Sequence, residues 1–334
     1  MGAQINPQVS RFCWQNLQVD PTPVFPDNEL LREEEVQETI YKQVFSGDVP
    51  LRPPRRYQVK ILKELVAKIE SSIEDWDQHG ISDNLTFALS QLLSQPLPSE
   101  TDAAQQRDHV TYHLSLLQVP PTEVDPPHIH LLESRSLISA SGTTGLRTWE
   151  AALHLGQYLC ADPSSVKNRR VLELGTGTGY LAVLCAKYLG SDHVIASDGS
   201  DEVVNHLSES FLLNGLKGSS KITPMQLGWG HALAGTEVGG GDVDTVLGAD
   251  ITYDVSVIPA LVATLEDLAG LFPASSVLIA ATERNRATFE RFLDVCGKRG
   301  FTVTHESYPI LRRSEQNGPF YSDTTPIHIC KLRK

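Results

Sequence analysis

The sequence predicts a doubly wound α/β fold with a smaller, mostly helical N-terminal domain, and three observations lead there. From about residue 126 onward, apolar runs of strand length alternate with runs of helix length, as parallel strands joined by crossover helices require. One of these strands, RVLEL from Arg170, runs straight into three closely spaced glycines, the arrangement by which such a fold brings backbone N–H groups up to a ligand. The first 125 residues instead repeat apolar residues at helical spacing and are punctuated by prolines.

Taken in order, VSRFCWQNLQ opens the chain and PTPVFP interrupts it. ELLREEEVQETIYKQVFS then has helical apolar spacing behind an acidic first turn, which suits the helix dipole. RPPRR reads as a basic turn, and YQVKILKELVAKIESSIEDW as the strongest amphipathic helix, with Val59, Leu62, Val66, Ile69 and Ile73 along one stripe. A further helix around NLTFALSQLL stops at QPLPSE, and VPPTEVDPP separates this region from the rest. Domains of 1–125 and 126–334 are expected. HIHLLESRSLIS is an extended lead-in, and TWEAALHLGQYLC a helix that Thr148 is expected to cap. Strand RVLEL, helix YLAVLCAKYL, strand HVIAS, helix DEVVNHLSESFLLN, and strands KITPMQLGW and VDTVLGAD follow. Helix VIPALVATLEDLAG, strand SSVLIAAT, helix ATFERFLDVCGKRG, and strands FTVTHESY and PIHICKL complete the chain, one of the last pair antiparallel. EVGGGD reads as a surface loop.

The spacing of the glycines narrows the ligand. Gly175, Gly177 and Gly179 give G-x-G-x-G, so the third glycine of the dinucleotide fingerprint falls at Tyr180. That glycine permits close helix–strand packing under a pyrophosphate, and a tyrosine there counts against NAD or FAD. Glu173, two residues before the first glycine, repels a pyrophosphate and suits a cation. Asp198 ends the next predicted strand, where a carboxylate accepts both ribose hydroxyls. S-adenosylmethionine, with its sulfonium and ammonium groups, matches this set better than a dinucleotide. The plainer alternative is a tight turn with an incidental acid.

Composition bounds the rest. The 334 residues suffice for two domains, and 40% hydrophobic with 21% charged content is ordinary for a globular protein. A net charge of −13 disfavours binding to DNA or RNA and suits a basic protein partner, although it also serves solubility alone. Cys13, Cys160, Cys185, Cys296 and Cys330 form no C-x-x-C pair and read as reduced, buried residues of an intracellular protein. His109 and His113, and the His128–His130 pair, lack companions for a zinc site, so no metal is expected. No apolar run is long enough to span a bilayer, the N-terminus lacks a signal-peptide pattern, and Asn6 breaks the myristoylation pattern. A cytoplasmic monomer with no membrane partner is the default expectation.

Four ordered segments, SGTTGLRTWEAAL, VLELGTGTGYL, QLGWG and ADITYD, together resemble the seven-β-strand protein-lysine methyltransferases marked by an acidic-x-x-aromatic motif after strand four. The resemblance covers roughly residues 128–334 and implies a seven-stranded class I, S-adenosylmethionine-dependent sheet. The N-terminal region, with RRYQVKILKELVAKIE, further resembles the fungal elongation factor 2 lysine methyltransferases. Carried over by position, the resemblance implies that Trp149 lies against the cofactor and that Gly175, Thr176 and Gly177 form the loop beneath it. Asp198 then binds ribose, Trp229 lines the adenine pocket and Ala249 touches the cofactor from the end of strand four. For either tryptophan an ordinary core role is the alternative.

Asp250 and Tyr253 are the candidate catalytic pair. Methyl transfer is an in-line displacement at an activated carbon, so the protein chiefly has to align a neutral amine. Asp250 is expected to orient that amine by accepting its hydrogen bonds, and Tyr253 to supply an aromatic wall and a hydroxyl acceptor; helix capping by Asp250 is the alternative. The resemblance implies that ATER, with Glu283 and Arg284, stands beside the substrate entrance, with a surface salt bridge the plainer reading of the arginine. DITY lacks the prolines of the N-P-P-Y clamp found in nucleobase amino-methylases, which sets a nucleic-acid substrate aside. The expected activity is lysine methylation of elongation factor 2. Another basic protein, a small metabolite, or a non-catalytic S-adenosylmethionine-binding module are the rivals.

Overall fold

The computed structural model describes residues 5–96, 99, 106–117, 126–134, 144–231 and 241–334. Most of VPPTEVDPP and EVGGGD, the second half of HIHLLESRSLIS, and SGT of the first family segment lie outside the described residues. The chain divides into two compact units.

The first unit comprises Met1–Ser115, Val124–Leu137 and Asn317–Phe320. Its helices are α1 (Pro7–Leu17), α2 (Asn28–Leu31), α3 (Glu34–Ile40), α4 (Arg55–Ser72) and α5 (Asp83–Ser94). The expected single helix ELLREEEVQETIYKQVFS is three pieces: α2, α3 and a π-helical turn over Tyr41–Phe45. Extended backbone at Glu33 breaks it, and the buried Gln37 amide fills the gap by donating to Leu31 O and Gly80 O, each at 3.0 Å. On α4, Ile61, Leu62, Leu65 and Ile69 are fully buried and pack with Phe12, Leu31, Ile40 and Leu85. The Arg55 guanidinium donates to Leu92 O, Gln95 O and Pro96 O, satisfying carbonyls at the C-terminal end of α5.

The region is less purely helical than its sequence suggests. β1 (Asp108–His113) pairs antiparallel with β2 (His128–Glu133), from Asp108↔Glu133 to His113↔His128. Tyr112 OH donates to Glu133 Oε1 at 2.7 Å. β2 follows the boundary expected at 125 yet groups with the N-terminal helices, because all its ladder partners lie on β1. His109 and His113 are therefore strand residues.

The second unit holds the expected α/β sheet of seven strands. β3 (Arg170–Leu174), β4 (His193–Asp198), β5 (Ile222–Gln226), β6 (Thr245–Ala249) and β7 (Ser276–Thr282) are parallel. β9 (Ile327–Arg333) runs antiparallel to both β7 and the edge strand β8 (Thr302–Glu306). The spatial order is β5-β4-β3-β6-β7-β9-β8. α6 (Glu150–Ala161) precedes β3, and α7 (Tyr180–Lys187), α8 (Asp201–Leu213), α9 (Ile258–Leu271) and α10 (Arg286–Lys298) fall between strands. Strands β3, β4, β6 and β7 are buried almost throughout because helices cover both faces, whereas edge strands β5 and β8 are largely exposed. The winding reverses between β3 and β6, which opens a crevice at their C-terminal ends. All five cysteines are free thiols, four buried and Cys160 half-buried.

Candidate active site

At that crevice lies a cavity of about 420 Å³. Strand β3 delivers Glu173 to it, and the turn into α7 delivers Gly175, Thr176 and Gly177. Gly175 and Gly177 have φ of +62° and +53°, in the left-handed region that glycine adopts at no steric cost. A Cβ on Gly175 would lie 2.6 Å from Ile251 Cγ2, so the turn also depends on the missing side chain for space. Asp198 enters from the end of β4, Trp229 from beyond β5, and Ala249, Asp250 and Tyr253 from the end of β6. Trp149, at the N-cap position of α6, completes a set in which all ten sequence-derived candidates line one cavity.

Two acids set its electrostatics. Glu173 is buried, and burial pushes its pKa up to about 8 against the opposing hydrogen bonds from Thr176 Oγ1, at 2.6 Å, and from the Ala182 N–H. Burial also raises the pKa of Asp198, although Ser200 N donates to its Oδ1 at 3.0 Å and Gly177 N to its Oδ2 at 3.2 Å. Neither acid has an ion-pair partner among the described residues. Trp149 donates its indole N–H to Thr144 O at 3.0 Å, with the guanidinium carbons of Arg147 and Arg284 at 4.9 and 5.0 Å from its ring centroid. The N-cap position of α6 falls at Trp149 rather than at the expected Thr148, whose hydroxyl pairs with Thr178 Oγ1 at 2.7 Å.

Asp250 has an environment that its sequence neighbours do not announce. Its backbone is left-handed, with φ of +54°, and its side chain is only 5% exposed. Oδ1 accepts from Thr282 N at 3.1 Å and Arg284 Nη1 at 3.2 Å. Oδ2 accepts from Thr282 Oγ1 at 3.0 Å, Arg284 Nη2 at 3.2 Å and Ala151 N at 3.4 Å. These bonds occupy the acceptor capacity of a carboxylate, so a substrate amine reaches it only by displacing a donor. Asp250 caps a helix, as the alternative had it, but the helix is α6 rather than the next one in sequence.

Arg284 is the site residue that sequence reading demotes to a surface ion pair. Its guanidinium forks across both oxygens of Asp250 and also bonds Glu150 Oε2 at 2.7 Å. Burial works against its charge, but Asp250 and then Glu150 hold its pKa above the ordinary value. A second cavity of about 280 Å³ lies beside the first, lined by Arg284, Thr282, Thr288 and Phe289. The two share Thr144, Trp149, Asp250 and Tyr253. Tyr253 is 53% exposed, and its hydroxyl oxygen accepts from Thr144 Oγ1 at 3.3 Å.

Comparison with known proteins gives the family. The family described as lysine methyltransferase matches residues 135–298. The protein-lysine N-methyltransferase EFM3 of Chaetomium thermophilum is 64% identical over 339 residues, covering 100% of both chains. The chain belongs to this protein-lysine N-methyltransferase family. EFM3 of Saccharomyces cerevisiae is 33% identical over 227 residues, 62% of this chain and 66% of that one. The human protein-lysine N-methyltransferase EEF2KMT is 35% identical over 303 residues, 86% of this chain and 83% of that one.

The enzyme's methyl donor is S-adenosylmethionine, and the cavity fits it. A ligand that brings a cation and two ribose hydroxyls meets two carboxylates lacking an ion-pair partner, on a glycine turn with no Cβ in the way. The chemistry of the donor set is therefore complementary to that group. Thr144 and Thr282, which line the cavities, and Glu150, which bonds Arg284, are the residues that sequence reading leaves unassigned, whereas Arg284 is read there as beside the substrate entrance or in a surface salt bridge. Arg284 carried a signal, its place just after strand β7.

Proposed function

We propose that the enzyme methylates a lysine ε-amine of elongation factor 2, with the larger cavity holding the methyl donor and the smaller one admitting the lysine. The observation that carries this reading is the shared boundary: Thr144, Trp149, Asp250 and Tyr253 line both cavities, so donor and acceptor meet there. The resemblance of the N-terminal region and the kinship with the human EEF2KMT support elongation factor 2 as the substrate. The cytoplasm, where a translation factor is met, is the proposed location.

S-adenosylmethionine supplies a methyl carbon already activated by its sulfonium, so the chain's own task is to align and exclude water. In this reading Glu173 faces the cationic end and Asp198 the ribose, with the turn Gly175, Thr176, Gly177 beneath them. Trp149, Trp229 and Ala249 wall the cavity. At the acceptor end Tyr253 offers its phenol oxygen to an amine N–H. Asp250 acts as the fixed acid that holds α6, β7 and Arg284 around the channel.

Incubating the purified chain with labelled S-adenosylmethionine and an extract lacking its own copy is expected to label one protein, identified by mass spectrometry as elongation factor 2 modified on lysine. Label on a different protein or on a metabolite counts against the substrate reading.

The N-terminal unit is proposed to read the substrate. Trp76 and Phe87 are 58% and 61% exposed, the kind of aromatic surface that anchors protein partners. Replacing both by serine is expected to raise KM for elongation factor 2 by about tenfold, equivalent to roughly 1.4 kcal/mol, while kcat and cofactor affinity hold. Unchanged KM in steady-state assays removes these residues from the docking surface.

A further inference from the structure

Methyl transfer requires something of the lysine that the acids around its channel oppose. An unperturbed ε-amine stays protonated up to about pH 10.4, and the ammonium form has no lone pair for attack. A bare carboxylate a few ångströms away favours that ammonium and so holds back the reaction. Asp250 lies on the boundary of the two cavities, and Glu150 shares with it a single cation, Arg284.

We propose that Arg284 is a positioning residue for methyl transfer: by forking across both oxygens of Asp250 and bonding Glu150, it cancels the acidic charge beside the channel, so that the lysine enters as a neutral amine. The inference rests on the smaller cavity being the lysine channel. In the transfer, the amine lone pair forms the new N–C bond while the electron pair of the S–CH₃ bond stays on sulfur. The methylated ammonium then loses its proton to solvent.

The surrounding charges leave this role to Arg284. Ahead of α6, Arg147 reaches Glu150 at 3.5 Å and makes no bond to Asp250. Beyond β7, Glu283 bonds His328 of β9 at 2.7 Å and Arg286 bonds Glu290 at 2.8 Å. After β6, Tyr253 contributes a phenol. Glu173 and Asp198 line the donor cavity and not the channel. Without Arg284, Arg147 alone faces two carboxylates, and one uncompensated negative charge remains.

Full-length wild-type, R284Q and R284K enzymes are assayed with S-adenosylmethionine and purified elongation factor 2 from about pH 6.5 to 9.5. One net charge at the channel of a partly solvated site moves the acid limb of kcat upward by about one pH unit, a loss of about tenfold near neutrality that alkaline pH restores. KM is expected to stay level or fall, because the ammonium is held better. Binding of S-adenosylhomocysteine, read by calorimetry, is expected to change less than about threefold and reports that the variant is folded. R284K, which keeps the charge and loses the fork, is expected to keep the wild-type limb at reduced amplitude. The His328–Glu283 pair is present in all three proteins and drops out of the comparison. A constant loss at every pH in R284Q, or an R284K limb shifted like that of R284Q, overturns the inference. Wild-type enzyme that leaves elongation factor 2 unlabelled overturns the substrate reading and this inference with it.

Discussion

Asp250→Ala is expected to lower methyl transfer at least a hundredfold, equivalent to roughly 2.7 kcal/mol of transition-state stabilisation, while S-adenosylmethionine binds within about threefold of wild type. The reasoning runs through what the carboxylate holds. Five donors converge on it, from α6, from β7 and from Arg284, and alanine takes that acceptor from the Thr282 N–H and hydroxyl and from the Ala151 N–H, leaving the guanidinium with Glu150 alone. Alanine also has to adopt φ of +54°, which costs about 1 kcal/mol that aspartate offsets with its local hydrogen bonds. Arg284 is 40% exposed and regains water, so the stability loss is expected near 2 kcal/mol rather than that of a fully buried pair. Asp250→Asn keeps the shape but turns one acceptor oxygen into an NH₂ donor, so the two or three bonds that oxygen accepts are lost. Removing an acidic charge beside the channel favours the neutral amine, so turnover depressed in both variants assigns the loss to the displaced Arg284, α6 and β7 rather than to charge. Radiolabel transfer, calorimetry and thermal unfolding read the three quantities. Full turnover by either variant removes Asp250 from the acceptor end. A parallel loss of cofactor affinity moves it to the donor side.

The sheet was legible because strands covered on both faces read as largely apolar runs: RVLEL coincides with β3, and HVIAS and SSVLIAAT match β4 and β7 to within one residue. The antiparallel pair β1–β2 was not. DHVTYH looks polar, and its burial depends on partners 15 to 25 residues away, such as Glu133 for Tyr112. The same physics hid the acceptor end of the site. Motif residues at the ends of β3, β4 and β6 are found by spacing because each follows its own strand. Arg284 and Thr282 reach Asp250 only because β7 lies beside β6 with Ala249 opposite Ala280, an adjacency no local pattern records. Thr148 is displaced from the cap position for a related reason, since its hydroxyl pairs with that of Thr178, 30 residues on.

Glu173→Gln is expected to stabilise the cofactor-free enzyme and weaken its hold on the cofactor, two opposite effects from one buried acid. Burial raises the folded-state pKa of Glu173 from 4.5 to about 8, so between those values the folded state binds more protons than the unfolded one. Stability from this group is fully present below pH 4.5 and is lost as pH rises through about 8. Glutamine keeps the contact with Thr176 and carries no charge to bury, so the variant gains up to about 4 kcal/mol over wild type near pH 8 and little near pH 4.5. Cofactor binding reverses the sign. A cationic ligand favours ionised Glu173, so wild-type affinity is expected to rise with pH up to about 8, with proton release on binding. The variant is expected to show a flatter profile and about tenfold weaker binding at the alkaline end, roughly 1.4 kcal/mol. Denaturant melts across pH, and calorimetry in buffers of different ionisation enthalpy, read both arms. Equal pH slopes for wild type and variant in binding would place Glu173 in the packing of α7 alone, because a residue that only receives the Ala182 N–H has no reason to respond to a bound cation.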